Sequence, residues 1–307
     1  MKKLAAVALT LSLALTGCGG GSVGPAVAST SNSSAAAGVP IQSGAYKESS
    51  LLFGGEPVVE STYWPTASGT DVFFGCANNQ TCIAQDLQPT STEANAPLVI
   101  PQTCRFNYVF AYSGVTYLVC NDSQPSDGDI YLYASTDLTH WTIQNGGNPI
   151  VTRQPGTNWA HVWNVAIQPV GSRWYMLAET SSTLNGMGLS IAWADPANSM
   201  DFTPNEGPTV IQNAGNPQLL YSSGELIALH GMYPMVNGKP GNWYVTESTA
   251  SPSNLTNWTT RPDKLLVQEP GVDVADPTYV QANGVGYLAV SYAQKEVLQL
   301  SGPALLP

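Results

Sequence analysis

The chain is 307 residues long, with 10 Lys and Arg against 21 Asp and Glu and a formal net charge of −11. Only 10% of its residues are charged, while 29 Gly, 23 Pro, 14 Tyr and 8 Trp stand out. So acidic a chain repels a phosphate backbone, which excludes general nucleic-acid binding; the charged heptads of a coiled coil are missing, and 43% apolar residues exclude wholesale disorder.

Met1-Lys2-Lys3 is a short basic start, and residues 4–15 form an apolar run of signal-peptide length, too short to span a bilayer. Leu15-Thr16-Gly17-Cys18 follows. This resembles the lipobox of bacterial lipoproteins. The resemblance implies a signal peptide over 1–17, lipid on Cys18 and attachment to a membrane through that lipid. Gly19, not Asp, follows the cysteine; by the same resemblance this implies an outer-membrane lipoprotein of the bacterial cell envelope. Residues 18–45 are mostly Gly, Ser, Ala, Thr and Pro. They carry too little apolar surface to offset their ordering entropy, and read as a flexible tether to a body over 46–307.

The body shows no long amphipathic helical pattern. Short runs rich in Tyr, Val, Trp and Thr alternate with Gly, Asn, Pro and Ser clusters, the signature of strands and turns. These runs repeat. First strands are expected at 56–59, 105–109, 161–165, 216–219 and 276–280; marking them at Pro57, Phe106, Trp163, Pro217 and Pro277 gives intervals of 49, 57, 54 and 60. Second strands follow tight turns at 71–75, 116–120, 174–178, 225–230 and 286–291. Runs at 97–100, 148–151, 208–211 and 264–267 read as outer strands. Five such units without helices predict an all-β, five-bladed β-propeller. The last unit has only three strands of its own, so residues 49–53 are expected to supply its fourth, closing the ring and removing a free edge.

Four cysteines lie in the body: Cys76, Cys82, Cys104 and Cys120. An even count in an oxidising compartment reads as disulfides. Cys76 ends a second strand and Cys82 opens a third; Cys104 opens a first strand and Cys120 ends its antiparallel partner. The expected pairs are therefore Cys76–Cys82 and Cys104–Cys120. The spacings are not those of a zinc site, and no metal is expected.

Ser135-Thr136-Asp137-Leu138-Thr139-His140-Trp141, after a third strand, and Asp276-Pro277, opening a first strand, resemble the five-bladed propeller glycosidases. These are the arabinanase- and xylosidase-like enzymes of glycoside hydrolase family 43 and the invertase-like group. The resemblance spans roughly 46–307 by rhythm rather than continuous motif. It implies a pocket at one end of a central channel, lined by first strands, with carboxyl groups flanking a glycosidic bond as general acid and base. The chain departs from the family's pattern. Glu56 stands where an Asp is expected, the second unit offers Arg105 and Asn107, the third His161 and Asn164, and Asn216 replaces the acid of a Glu-Gly-Pro-like element.

The candidate catalytic acids are accordingly Glu56, Glu179 and Asp276. Glu179 ends a second strand in apolar company, where burial raises a carboxyl pKa as a general acid requires. Candidate substrate-binding residues are Arg105, Asn107, His161, Trp163, Asn164, Asn216 and His230. Strand alternation places His161 and Trp163 on one face and Asn164 on the other. The family often keeps a histidine near a channel ion at the place of His230, but no acidic cluster neighbours it in sequence, so no calcium or other cofactor is assigned. The expected function is carbohydrate processing by a monomeric, glycoside-hydrolase-like lipoprotein; the alternative is a non-catalytic propeller that binds glycan or a protein partner.

Overall fold

The structure, a computed structural model, describes residues 43–46, 48–53, 59–65, 70–76, 80–84, 96–97, 104–121, 128–183, 186–204, 209–261, 264–294 and 296–307, several of the N-terminal strands by backbone alone. The signal peptide, Cys18, most of the tether and Glu56 lie outside these residues.

The fold is all-β and propeller-like. Among the described residues there are four sheets of four strands, one of five, and a separate two-stranded hairpin. In chain order the sheets begin with the inner strands Val59–Pro65, Arg105–Tyr112, His161–Val170, Ala214–Ser222 and Val274–Ala282. Each inner strand pairs antiparallel with the strand after it. Two-residue turns make several of these hairpins tight. Ser113-Gly114, Ser223-Gly224 and Asn283-Gly284 all carry positive φ at both positions, the backbone whose twist matches that of paired strands.

The inner strands pack side by side in order, and Val274–Ala282 packs against Val59–Pro65. Hydrogen bonds stitch the seams: Tyr63 N donates to Thr278 Oγ1 at 2.9 Å, Thr62 Oγ1 to Asn107 O at 3.3 Å, and Gln218 Nε2 to Tyr279 O at 3.1 Å. Aromatic rings fill the space between sheets. Trp174, fully buried, meets Phe110, Tyr112 and Tyr117 edge-on at centroid distances of 5.1, 5.4 and 5.1 Å. Edge-to-face contacts of this kind add to what burial alone supplies.

The expected pairing of residues 49–53 with the last sheet is present. Strand Glu48–Phe53 lies antiparallel to Glu296–Pro303, with Ser49 opposite Leu300 and Leu51 opposite Leu298. The segment before it is bound as well. Ser43 bridges to Gln268, and Tyr46 N donates to Leu266 O at 3.0 Å. Backbone pairing thus holds Ser43 and Tyr46, at the end of the Gly- and Ser-rich segment, to the body.

Two strand assignments are corrected. The first inner strand is Val59–Pro65, later than expected. The outer strands come in pieces. Thr142–Ile143 pairs with Ile130–Ser135 while Val151 makes a separate bridge to Ile130; likewise Thr259–Arg261 pairs with Tyr244–Ala250 while Val267 bridges to Val245. The apolar runs at 148–151 and 264–267 mark only the second piece of each.

Cys104 and Cys120 form the expected disulfide, with Cα atoms 5.2 Å apart. The side chains of Cys76 and Cys82 lie outside the described ones. The Ser135–Trp141 loop is structural: Asp137 Oδ1 accepts from the backbone N of Thr139 and His140 at 2.9 and 2.8 Å, and Trp141 Nε1 donates to Leu138 O at 3.0 Å. The second such loop repeats the last bond, Trp258 Nε1 to Leu255 O at 2.9 Å.

Candidate functional site

Every inner strand breaks its ladder at the same level. The register slips between Val59 and Ser61, Arg105 and Tyr108, Val162 and Val165, Gly215 and Gln218, and Ala275 and Thr278. A bulge of this kind re-aims side chains that alternation would otherwise send to opposite faces. Phe106, Asn216 and Asp276 occupy equivalent bulge positions, with φ of 51°, 52° and 52°. Asn and Asp tolerate this left-handed backbone better than most residues; Phe pays strain for it.

These bulges wall a cavity of about 310 Å³, lined by Phe106, Trp163, Asn164, Glu179, Met187, Asn216, Trp243, Asp273, Ala275, Asp276, Ser291 and Gln294. The expectation that Asn164 faces away from Trp163 is corrected here. The bulge sits at this very pair, and both side chains line the cavity.

Glu179 lies directly opposite the Trp163–Asn164 bulge and is only 5% exposed. Its Oε2 accepts two hydrogen bonds at 2.9 Å, from Asn164 Nδ2 and from the backbone N of Asn216. Burial raises its carboxyl pKa, while those two bonds pull the other way. Both donors sit on Oε2, so the proton of the neutral acid belongs on Oε1. Gly215 makes the arrangement possible: a Cβ there would lie 2.5 Å from Glu179 Oε2 and 3.1 Å from Trp243 Cη2. Asp276, 7% exposed, lines the same cavity from the last sheet.

The wall is braced by residues that the strand pattern does not single out. Asp273 Oδ1 accepts from Trp243 N at 3.0 Å and from Asn242 Nδ2 at 3.1 Å. Tyr233 meets Trp243 at a centroid distance of 4.8 Å. The signal for Asp273 was its spacing, Asp273-Val274-Ala275-Asp276-Pro277, which puts two carboxylates at one strand entrance. Trp243 reads as an ordinary strand aromatic.

The remaining candidates sit elsewhere. His161 stacks on Trp163 at 5.8 Å with rings 19° apart, on the shared face that alternation predicts, but it is not part of the cavity lining. Arg105 lies over the Phe106 ring at 5.3 Å and is likewise outside the lining. Asn107 faces a narrower void on the axis, described below. His230 lies apart from this lining. It lies opposite the Asn216–Pro217 bulge, the counterpart of Glu179, yet it is fully buried and outside the lining. Nδ1 is 3.1 Å from Gly231 O and Nε2 is 2.8 Å from Ser248 Oγ. A carbonyl can only accept, so Nδ1 carries the proton. Burial lowers its pKa to about 4, which keeps the ring neutral.

Among the described residues, no three His, Cys, Asp or Glu side chains gather as metal ligands. The described lining also holds no Lys, Arg or His.

No known family matches the chain by sequence, and no curated protein does. Solved structures do resemble it in fold. A thermostable family-43 glycoside hydrolase superposes with a TM-score of 0.61 at 10% identity, covering 82% of this chain and 90% of that one. An α-L-arabinofuranosidase from Lactobacillus brevis gives 0.59 at 10% identity, covering 82% and 92%. A third match, from the GH130 family of mannoside phosphorylases that contains glycoside hydrolases targeting β-1,2 mannosidic linkages in Candida mannan, gives 0.59 at 9% identity, covering 90% and 94%. At such identities the likeness is one of fold, the propeller-like fold that these solved structures share.

Proposed function

We propose that this chain is a glycoside hydrolase on a five-bladed propeller, closed by Glu48–Phe53, that cleaves oligosaccharide or polysaccharide by carboxylate acid–base catalysis. Glu179 is the general acid and Asp276 the base that activates water. The observation that carries this reading is two buried carboxyl groups, Glu179 with its pKa raised by burial and Asp276, lining one cavity with Trp163, Trp243 and Phe106. A raised pKa suits Glu179 to the acid role, which leaves the base role to the second carboxyl. The aromatic faces suit the apolar faces of sugar rings. Glu56 remains a third candidate acid, and Arg105 and His161 outer contacts to substrate.

One observation favours a non-catalytic glycan-binding reading instead. Asn216 presents an amide at the bulge position where Asp276 presents an acid, and an amide transfers no proton at neutral pH. Incubating the protein with aryl glycosides and oligosaccharides decides between them. Released sugar that falls by orders of magnitude in Glu179→Gln and Asp276→Asn supports the enzyme; binding without release supports the alternative.

The lipobox-like Leu15–Cys18 supports a mature chain held at the cell envelope through lipid on Cys18. Cys18→Ser is expected to move the protein from the membrane fraction to the soluble fraction; unchanged fractionation contradicts the anchor.

A further inference from the structure

Beside the cavity the axis narrows to a void of about 20 Å³, whose lining includes Ser61, Asn107, Asn164, Asn216 and Asp276. Asn164, Asn216 and Asp276 belong to both linings. Asn107 is 4% exposed, and neither its Oδ1 nor its Nδ2 meets a hydrogen-bond partner. Ser61 Oγ and Asn164 Oδ1 are buried without partners too. Three inner strands thus aim unsatisfied polar atoms at one small space. A buried amide left unsatisfied loses more than a typical hydrogen bond gains, so such groups are paired with ordered water when no protein atom reaches them. A water needs about 10–15 Å³ and two to four polar partners, and this void offers both. The partner set also discriminates. Water donates and accepts, matching an amide N–H together with carbonyl and hydroxyl oxygens; a bare cation would leave the Asn107 N–H unsatisfied.

We propose that this void holds one ordered water shared by Asn107 and Asp276, and that Asn107 is a positioning residue for Asp276 through it. The water accepts from Asn107 Nδ2 and donates to the Asp276 carboxylate. Its second proton is within the reach of the Ser61 and Asn164 oxygens that line the same void. A donor held against the carboxylate fixes its rotamer and favours its ionised form, the form a base needs. The other carboxyls sharing a lining with Asp276 are Glu179 and Asp273. The first half of the proposal is independent of any activity; the second rests on the glycoside hydrolase reading.

The test therefore has two arms. A crystal structure of the folded body, from crystals grown with rubidium and calcium salts, is expected to show a water peak between Asn107 and Asp276 with no anomalous signal. No peak there, or a metal signal in its place, overturns the proposal whether or not the protein hydrolyses anything. The second arm is the pH profile of kcat/KM. Asn107→Leu fills the void without a donor and is expected to move the acidic limb up by roughly one pH unit. The basic limb stays put and KM changes little. Asn107→Ser, which keeps room for water and a hydroxyl partner, is expected to hold the parent's limb. Should the leucine variant fail to fold, Asn107→Val asks the same question with less bulk. An acidic limb unmoved by the apolar substitution overturns the positioning role.

Discussion

Asn164 Nδ2 lies 2.9 Å from Glu179 Oε2, and this contact ties the third inner strand to a buried acid of the cavity. It exists because the bulge at Trp163–Asn164 turns Asn164 toward the partner strand instead of away from it. The bond stabilises the ionised carboxylate, so its removal must raise the Glu179 pKa above its already raised value. Asn164→Leu is therefore expected to shift the basic limb of kcat/KM up by roughly one pH unit, the worth of a hydrogen bond to a charged group. The pH profile of the variant checks this. A downward shift contradicts the assignment of Glu179 as the acid.

Gly215 is the second support of the same carboxyl. A methyl group at this position would meet Glu179 Oε2 and the Trp243 ring together. Gly215→Ala is expected to cost roughly 1–3 kcal/mol of stability, as overpacking does, and to lower kcat/KM by displacing Glu179 and Trp243. Urea unfolding and steady-state rates measured on the same sample test both. Parent-like values in both would mean that the wall yields more easily than its packing indicates.

His230 makes the fold sensitive to acid. Its folded pKa of about 4 lies below the unfolded 6.5. Between those values the unfolded chain binds a proton that the folded chain refuses, so stability falls as the pH falls through this window, by on the order of 3 kcal/mol in full. Glu179, raised in the fold, works with the opposite sign and loses stability as the pH rises. Comparing the parent with His230→Gln isolates the histidine. Unfolding free energies at pH 7 and pH 4.5 should differ less in the variant; equal differences contradict a buried neutral ring.

Much of this fold was legible. Two-residue turns such as Ser113-Gly114, the Trp141 and Trp258 loops, the pairing of residues 49–53 and the Cys104–Cys120 bridge all follow from local patterns. The site was legible only as a set of names. Bulges leave no reliable signature in strand composition, yet they decide which residues meet. In the first sheet the slip falls at Glu60, beyond the Pro57 that the strand pattern aligned with Pro217 and Pro277. Glu179 and His230 occupy matching register positions, and nothing in either strand distinguishes them. Their fates differ through distant partners: Ser248 holds the histidine inward, while Asn164 and Asn216 hold the acid at the cavity. Asp273 and Trp243 became wall residues through a hydrogen bond between positions 30 residues apart.

The central claim is that Glu179 gives its proton to the departing sugar oxygen, and leaving-group dependence tests it most directly. A general acid matters when the leaving group is a poor one and hardly at all when it departs without protonation. The measurement is kcat for Glu179→Gln and parent on two substrates with the same sugar: one linked to a second sugar, one to dinitrophenol. The account predicts a loss of about 100-fold or more on the first and near-parent turnover on the second. Equal losses on both substrates, or none on either, would contradict it.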